Sequence, residues 1–247
     1  MPEEYFFINV RINMFCCGLL KNSTDKHAYR KLKIIYNDTD GDLYLNGNIR
    51  KDLGNLNISV QGGSIIQQEG TKISTDNINL TAQDDIKNID VVNHRTDDLK
   101  LNAQSMNGDI DINVSGGLSG DKYLAGNVIV NDLSSNNGAV SLTATGDIKQ
   151  SANKTTVNAD NIKLESSTGS INLQVESNSQ AASSNDISAI SASAPGNIKL
   201  TKNDATDFRI GSIVSTVGDV ELKANGKFID ALDKTLPPKY GLNCRYS

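Results

Sequence analysis

The sequence predicts an all-β fold, a β-solenoid whose coils contain about 20–22 residues. Three observations predict it. One strand-turn phrase recurs along the chain, its copies lie at a nearly fixed interval, and aliphatic residues alternate with polar ones inside each copy. Self-similarity at a fixed period marks a repeat architecture, and alternation with period two marks a strand with one buried face.

Residues 138–148 contain the phrase in full. Val140, Leu142 and Ala144 alternate with polar residues, so we expect these three side chains to point into the solenoid. A glycine stands at each end of the strand, where we expect the backbone to turn, because glycine reaches positive φ without steric cost. Asp takes the glycine positions in some copies, and Asp also tolerates left-handed turns.

The spacing of the phrases predicts the size of a coil. Phrases begin 22 residues apart from 54 to 76, 21 from 76 to 97, 41 from 97 to 138, and 22 from 138 to 160 and from 196 to 218. We interpret the 41-residue interval as two units, and extra phrases at 108 and 169 indicate more than one strand per coil. About nine coils would then form a rod about 45 Å long at the ordinary interstrand spacing.

The chain divides into three parts. Residues 1–36 are predicted to be an irregular segment or a cap, because an apolar stretch there is interrupted by Arg11 and is too short for a transmembrane helix. Residues 37–232 contain the parallel β-helix repeats, with a loop predicted in the Ser/Ala/Asn-rich run from Glu176 to Ala194. Residues 233–247 form a tail, in which two prolines stop the strand pattern.

The composition limits the function classes. The net charge is −5 and Lys and Arg do not cluster, which argues against nucleic acid as a partner. Hydrophobic residues make up 37% and aromatic residues 5%, so the core must be thin and aliphatic. Cys16, Cys17 and Cys244 match neither a disulfide framework nor a metal-binding spacing.

Few residues suggest chemistry. Asp109 and Asp111 lie two apart on one face of a predicted strand, where paired carboxylates could act as acid and base or bind Ca²⁺. The simpler interpretation is a solubilising pair beside a turn, and turn geometry also explains the pairs Asp84–Asp85 and Asp97–Asp98.

The remaining candidates are two histidines and one tyrosine. His27 and His94 have no catalytic setting, and no hydrolase or metalloprotease motif is present. Tyr123 follows a glycine-rich loop that interrupts a coil, where it could contact a glycan but is expected to pack against the rod. The sequence therefore predicts no catalytic, cofactor-binding or metal-binding residue, no cofactor, and no enzyme activity.

The phrases Gly196–Leu200 and Gly218–Ala231 resemble the filamentous haemagglutinin-like exoproteins of two-partner secretion, including the leukotoxin-type filamentous adhesins. The resemblance covers about residues 41–232. It implies a right-handed parallel β-helix, export through an outer-membrane transporter partner, and a role in adhesion. The signal peptide and the secretion domain of a complete exoprotein are not recognisable, so we expect a piece of a stalk or a short relative rather than a complete adhesin.

The functional hypothesis is a stalk segment of a secreted or surface-exposed adhesin of a Gram-negative bacterium. Its displayed loops would bind a host or bacterial surface receptor or glycan, without stable membrane insertion. Two alternatives stay open: a carbohydrate-active β-helix enzyme, a polysaccharide lyase or hydrolase, and the stalk of a toxin-delivery exoprotein.

Overall fold

The computed structural model describes residues 30–37, 41–93, 98–151, 156–177 and 189–231. Within these ranges the chain is all-β without a helix, and parallel strands stack into a β-solenoid of about 7 turns. The first strands are β1 Arg30–Tyr36, β2 Leu43–Leu45, β3 Ile49–Val60, β4 Ile65–Gln67, β5 Ile73–Thr75, β6 Asn77–Ala82, β7 Ile86–Asn93, β8 Asp98–Ser105, β9 Ile110–Gly116, β10 Leu118–Ser119 and β11 Lys122–Tyr123. The remaining strands are β12 Asn127–Ser135, β13 Ala139–Ala144, β14 Ile148–Gln150, β15 Thr156–Ala159, β16 Asn161–Ser166, β17 Ile171–Gln174, β18 Glu176–Ser177, β19 Ile190–Ala194, β20 Ile198–Lys202, β21 Phe208–Ser215, β22 Val220–Ala224 and β23 Phe228–Asp230.

Most strands stack in three parallel ladders along the rod, and β5 joins the first two because it pairs with both β3 and β7. The first ladder contains β1, β3, β6, β8, β12, β15 and β18. The second contains β2, β4, β7, β9, β13, β16, β19, β21 and β23. The third runs from the start of β12 through β14, β17 and β20 to β22. Only β10 and β11, among the described strands, pair antiparallel.

The register of the second ladder gives the number of residues in each coil. From Leu43 to Ile210 the equivalent residue of the next coil lies 22, 21, 24, 30, 22, 28 and 20 residues further along the chain. These are seven steps, or about 34 Å at the ordinary interstrand spacing, and a last step of 20 residues leads from Ile210 to Asp230 at the edge of the described rod. The predicted fold class and coil size are therefore confirmed, whereas the described rod has about 7 turns instead of the predicted nine or so.

Two enlarged coils explain why the rod has fewer coils than the spacing of the phrases predicts. The 41-residue interval from 97 to 138 is not two coils. Asp98 pairs with Asn127 one coil later in the first ladder, whereas the phrase that begins at 138 forms β13 in the second ladder. The coil of 30 residues contains the hairpin β10–β11, and the coil of 28 contains residues 178–188, which lie outside the described part of the chain. The end of the predicted 176–194 loop is strand β19, whose inward residues pack in the core.

The core is a column of aliphatic side chains from successive coils. Val140, Leu142 and Ala144 are 0–1% exposed, as the alternation predicts. Val140 lies between Ile110 of the coil before and Ile162 of the coil after. Stacking of like residues in this way removes each one from water on both sides, which is why small aliphatic side chains suffice for the core.

The corner glycines are needed for a different reason from the one predicted. Gly138 and Gly146 do not have positive φ. A Cβ on Gly138 would lie 2.4 Å from the carbonyl oxygen of Gly108 in the preceding coil, and a Cβ on Gly146 would lie 2.6 Å from the carbonyl oxygen of Ala125. Close stacking of backbone on backbone at the corners therefore selects glycine.

At both ends of the described rod the outermost strands pair on one side, as β1 and β2 do at the first end. Strand β1, which belongs to the predicted segment 1–36, pairs in register with β3, while residues 1–29 lie outside the described part. At the other end β22 and β23 each pair with one strand only, and Val220 and Phe228 are 46% and 40% exposed. The predicted tail, residues 233–247, also lies outside the described part.

Candidate functional site

A chain of polar side chains runs along one corner of the rod and binds each coil to the next. Asp42 Oδ1 accepts a hydrogen bond from Ser64 N at 2.8 Å, and Ser64 Oγ accepts one from Asp85 N at 3.2 Å. Asp85 Oδ1 accepts from Asp109 N at 2.8 Å, and Asp109 Oδ1 accepts from Ala139 N at 2.9 Å. Each side chain therefore satisfies a backbone donor at a turn, where no ladder partner is available.

This corner accounts for the acidic pairs that the sequence singles out. Asp109 holds the backbone of the next coil, and Asp111 is exposed on β9. Asp84 and Asp85 lie in the turn before β7, as predicted, whereas Asp98 begins β8 and accepts a hydrogen bond from Asn127 Nδ2 at 3.0 Å. Asp97 lies outside the described residues. The arrangement supports turns, and the hydrogen bond to Asp85 together with the charges of Asp85, Asp109 and Asp42 raises the pKa of Lys87.

A second chain of the same kind follows the third ladder. Asn127 Oδ1 accepts from Asp147 N at 2.9 Å, and Asp147 Oδ1 accepts from Ser170 N at 2.7 Å. Ser170 Oγ then accepts from Asn197 N at 3.0 Å, and Asn197 Oδ1 accepts from Asp219 N at 2.8 Å. Asp, Asn and Ser are interchangeable here because each offers a short side-chain oxygen to a backbone donor.

Asp147 also forms an ion pair on the outer face. Its Oδ2 lies 2.7 Å from Lys149 Nζ. Burial alone would raise the pKa of Asp147, but hydrogen bonds from Lys149 and from Ser170 N outweigh it and hold the pKa below the usual range. The same hydrogen bond from Lys149 to Asp147 raises the pKa of Lys149, and burial opposes that shift only in part.

Buried serines form a third corner device, which the sequence reasoning missed. Ser135 Oγ donates to the carbonyl oxygen of Gly108 at 2.7 Å and accepts from Gly138 N at 2.8 Å, so it joins two coils and closes its own turn. The signal for this device is Ser-x-x-Gly directly before a strand. It occurs with this geometry in Ser105-Met-Asn-Gly108, Ser135-Asn-Asn-Gly138 and Ser166-Ser-Thr-Gly169.

Asparagine side chains stack on the outer face of the first ladder. Asn102 Nδ2 donates to Asn79 Oδ1 at 2.5 Å, and Asn79 Nδ2 donates to Asn57 Oδ1 at 2.6 Å. A parallel pair joins Asn77 Nδ2 to Asn55 Oδ1 at 2.9 Å. Because these amides bond to one another, the face is polar and its side chains have well-defined positions.

The hairpin β10–β11 projects from the coil between β9 and β12. Leu118 pairs across it with Tyr123, and Ser119 pairs with Lys122, around a turn in which Gly120 has φ of +62°. Tyr123 is 80% exposed and Leu118 is 43% exposed. The prediction that a loop interrupts the coil here is confirmed, but the prediction that Tyr123 packs against the rod is wrong.

A lysine is buried in the rod near its C-terminal end. Lys202 follows Ile198 and Leu200 on the inward side of β20, its side chain is 0% exposed, and its Nζ donates to Asp204 Oδ2. Burial would raise the pKa of Asp204, but hydrogen bonds from Lys202 and Thr206 outweigh it and lower that pKa. The carboxylate of Asp204 neutralises the positive charge of Lys202, which would otherwise be buried among aliphatic side chains without a counter-ion.

Metal-binding groups and membrane-spanning helices are absent from the described residues. Among them, no three His, Cys, Asp or Glu side chains come together as a metal-binding group. His27, His94 and the three cysteines all lie outside the described ranges. A helix of the length and apolarity needed to cross a membrane does not occur among the described residues.

Comparisons with known proteins add no relative. No family model matches the sequence, no curated protein is significantly similar to it, and no solved structure matches the fold.

Proposed function

We propose that this chain is a segment of the stalk of a secreted or surface-exposed bacterial adhesin, that it attaches by displayed loops, and that it has no catalytic role. The rod supports this proposal. Its interior is filled by aliphatic side chains, and its corners and outer faces are held by polar side chains that bond to the next coil. A structure in which each coil contacts only its neighbours extends in one dimension and separates its ends, as a stalk requires.

The observation that carries the proposal is the contrast between the hairpin and the coils around it. The coils before and after the 30-residue coil have only 24 and 22 residues. The coil with the hairpin lifts an exposed aromatic side chain away from this surface. Contiguous exposed apolar side chains mark interaction sites, whereas singly exposed ones do not, and Leu118 and Tyr123 lie opposite each other on the hairpin.

The location and the export route rest on the sequence resemblance. The phrases at Gly196 and Gly218 resemble those of two-partner secretion exoproteins, so we propose export through an outer-membrane transporter and display on a Gram-negative cell. The acidic residues that an enzyme could use, such as Asp85 and Asp109, support turns instead, and for this reason we favour the stalk over a polysaccharide lyase or hydrolase.

Binding of the fluorescently labelled full chain to cells tests the proposal. Cultured epithelial cells and Gram-negative bacterial cells are incubated with the chain and washed, and retained fluorescence is measured by flow cytometry. We expect saturable retention on at least one cell type, which unlabelled chain competes away and an unrelated acidic β-rich protein does not. Retention no greater than that of the unrelated protein on both cell types would contradict the adhesive role.

A further inference from the structure

We propose that the hairpin formed by residues 117–126 is the attachment site, and that it inserts Tyr123 and Leu118 into a concave apolar pocket of a protein on the bound cell. This inference rests on the proposed adhesive function and names the class of its partner.

The apolar surface of the hairpin is concentrated on one cross-strand pair. Leu118 lies opposite Tyr123, and side chains at opposite positions of an antiparallel pair share one face. Tyr123 is 80% exposed, which leaves nearly its whole ring available for contact. Tyrosine offers a large rigid apolar surface with few rotatable bonds and a hydroxyl group at its tip, and it is enriched among residues that dominate binding energy.

The base of the hairpin is fixed to the rod. Gly117 N donates to the carbonyl oxygen of Asn93 at 2.7 Å, and Leu124 N donates to the carbonyl oxygen of Gly117 at 3.0 Å. Thr145 Oγ1 donates to the carbonyl oxygen of Ala125 at 2.8 Å. These bonds connect the hairpin to the coil before it and the coil after it. A projection held in this way loses little conformational entropy when it binds.

Two glycines make this attachment possible. A Cβ on Gly116 would lie 1.9 Å from the carbonyl oxygen of Leu124, and a Cβ on Gly126 would lie 2.3 Å from Gly116 N. The two ends of the excursion therefore approach each other more closely than any larger residue allows. Because the ends meet, the chain leaves the coil and returns to it at nearly one point, and the coil resumes its course at β12.

The shape of the hairpin favours a protein partner over a glycan. Binding sites for small polar ligands are concave, with a few polar groups converging on the ligand. The hairpin is instead a projection of two short strands around Gly120 and Asp121, so the concave surface must belong to the partner. The long projecting loops of nanobodies insert into concave surfaces of proteins in the same way, with tyrosine as a rigid contact residue.

The test compares variants of the full chain in the cell-binding assay described above. Tyr123→Ala removes the anchor, and Met106→Ala is the matched control, since Met106 is 51% exposed on a coil corner away from the hairpin. A third variant lacks residues 117–124, which shortens this coil from 30 to 22 residues, the length of the next coil. Circular dichroism and thermal unfolding establish that each variant keeps the fold.

We expect Tyr123→Ala to weaken binding at least about tenfold, Met106→Ala to leave it unchanged, and the deletion to abolish it. Mild trypsin treatment of the cells should remove binding, and periodate oxidation of their glycans should not. Unchanged binding of a folded Tyr123→Ala variant would overturn the inference while leaving the adhesive function intact. Loss of binding after periodate treatment alone would overturn it in favour of a glycan. Failure of the unmodified chain to bind any cell would overturn the proposed function and this inference with it.

Discussion

Asp204→Asn tests whether the buried lysine depends on its partner. The substitution keeps the size of the side chain and its ability to accept hydrogen bonds from Thr206, which come from N at 2.9 Å and from the hydroxyl. It removes the negative charge beside Lys202 Nζ. The lysine would then remain in the core without a counter-ion, which costs free energy.

The expected magnitude follows from burial. Removing one partner of a buried ion pair costs about 3–5 kcal/mol, and we expect about 3 kcal/mol because Asp204 is 33% exposed and water reaches its outer oxygen. Lys202→Met replaces the charged group by an apolar one of similar volume, so its cost should be within about 1 kcal/mol. In the Lys202→Met background, Asp204→Asn should then cost less than about 1 kcal/mol.

Urea unfolding at pH 7, followed by far-UV circular dichroism, measures these differences. Native-state hydrogen exchange of the amides in β20 provides a local measurement, because coils near the end of a solenoid open separately from the rest. Asp121→Asn is the control, as Asp121 is exposed on the hairpin and far from the core. If Asp204→Asn were no more destabilising than Asp121→Asn, the lysine would not be a buried partner and the inward register of β20 would be wrong.

Three further predictions concern the core, the corners and acid. Leu142→Asp buries a charge without a partner and should cost several kcal/mol, whereas Ser141→Asp on the outer face should cost less than about 1 kcal/mol in the same unfolding assay; equal costs would show that this face is not the core. Gly138→Ala places a Cβ 2.4 Å from backbone and should cost about 1–3 kcal/mol, while Gly47→Ala, with nothing within 4 Å of its Cβ, should not destabilise. The pKa values of Asp147 and Asp204 are lowered from 3.8, so their stabilisation is complete above about pH 5 and is lost as the pH falls through the folded values. The midpoint of thermal unfolding should therefore fall steeply below about pH 4, and less steeply in Asp147→Asn/Asp204→Asn; parallel curves would contradict this assignment.

The core and the strand faces could be predicted from the sequence because they depend on a periodic pattern of apolar and polar residues. Val140, Leu142 and Ala144 alternate with polar residues, and alternation fixes which side chains face inward once a strand is assumed. The recurrence of the phrase then fixes the coil length, since equivalent residues must stack. Most coils show both the alternation within a strand and the recurrence of the phrase, and the fold class follows from these two patterns.

The count of coils and the reason for the glycines could not be obtained this way. The hairpin adds residues to one coil without disturbing the alternation on either side, so spacing alone cannot separate one enlarged coil from two ordinary ones. The approach of Gly138 to Gly108 joins residues 30 positions apart, and it depends on the geometry of two stacked backbones. A glycine at a turn is equally consistent with positive φ when only the sequence is known.

The candidate site shows the same limit. The loop before Tyr123 is visible in the sequence, because Gly116, Gly117 and Gly120 interrupt a strand pattern. The exposure of Tyr123 is not visible, because a lone aromatic residue beside an aliphatic core would normally be expected to pack against it. Only the pairing of Leu118 with Tyr123 in a separate hairpin shows that the ring is directed away from the coil.

The distance between spin labels at residues 66 and 191 tests the parallel stacking most directly. Ile66 and Ser191 lie at outward positions of the second ladder, five coil steps apart. Each is replaced by cysteine for labelling, in a variant whose native cysteines are replaced by serine. Five steps at the ordinary interstrand spacing give about 24 Å between the backbones. Double electron–electron resonance should show one narrow distribution centred within about 20–30 Å. A distribution centred beyond about 40 Å, or one too broad to have a centre, would contradict the solenoid.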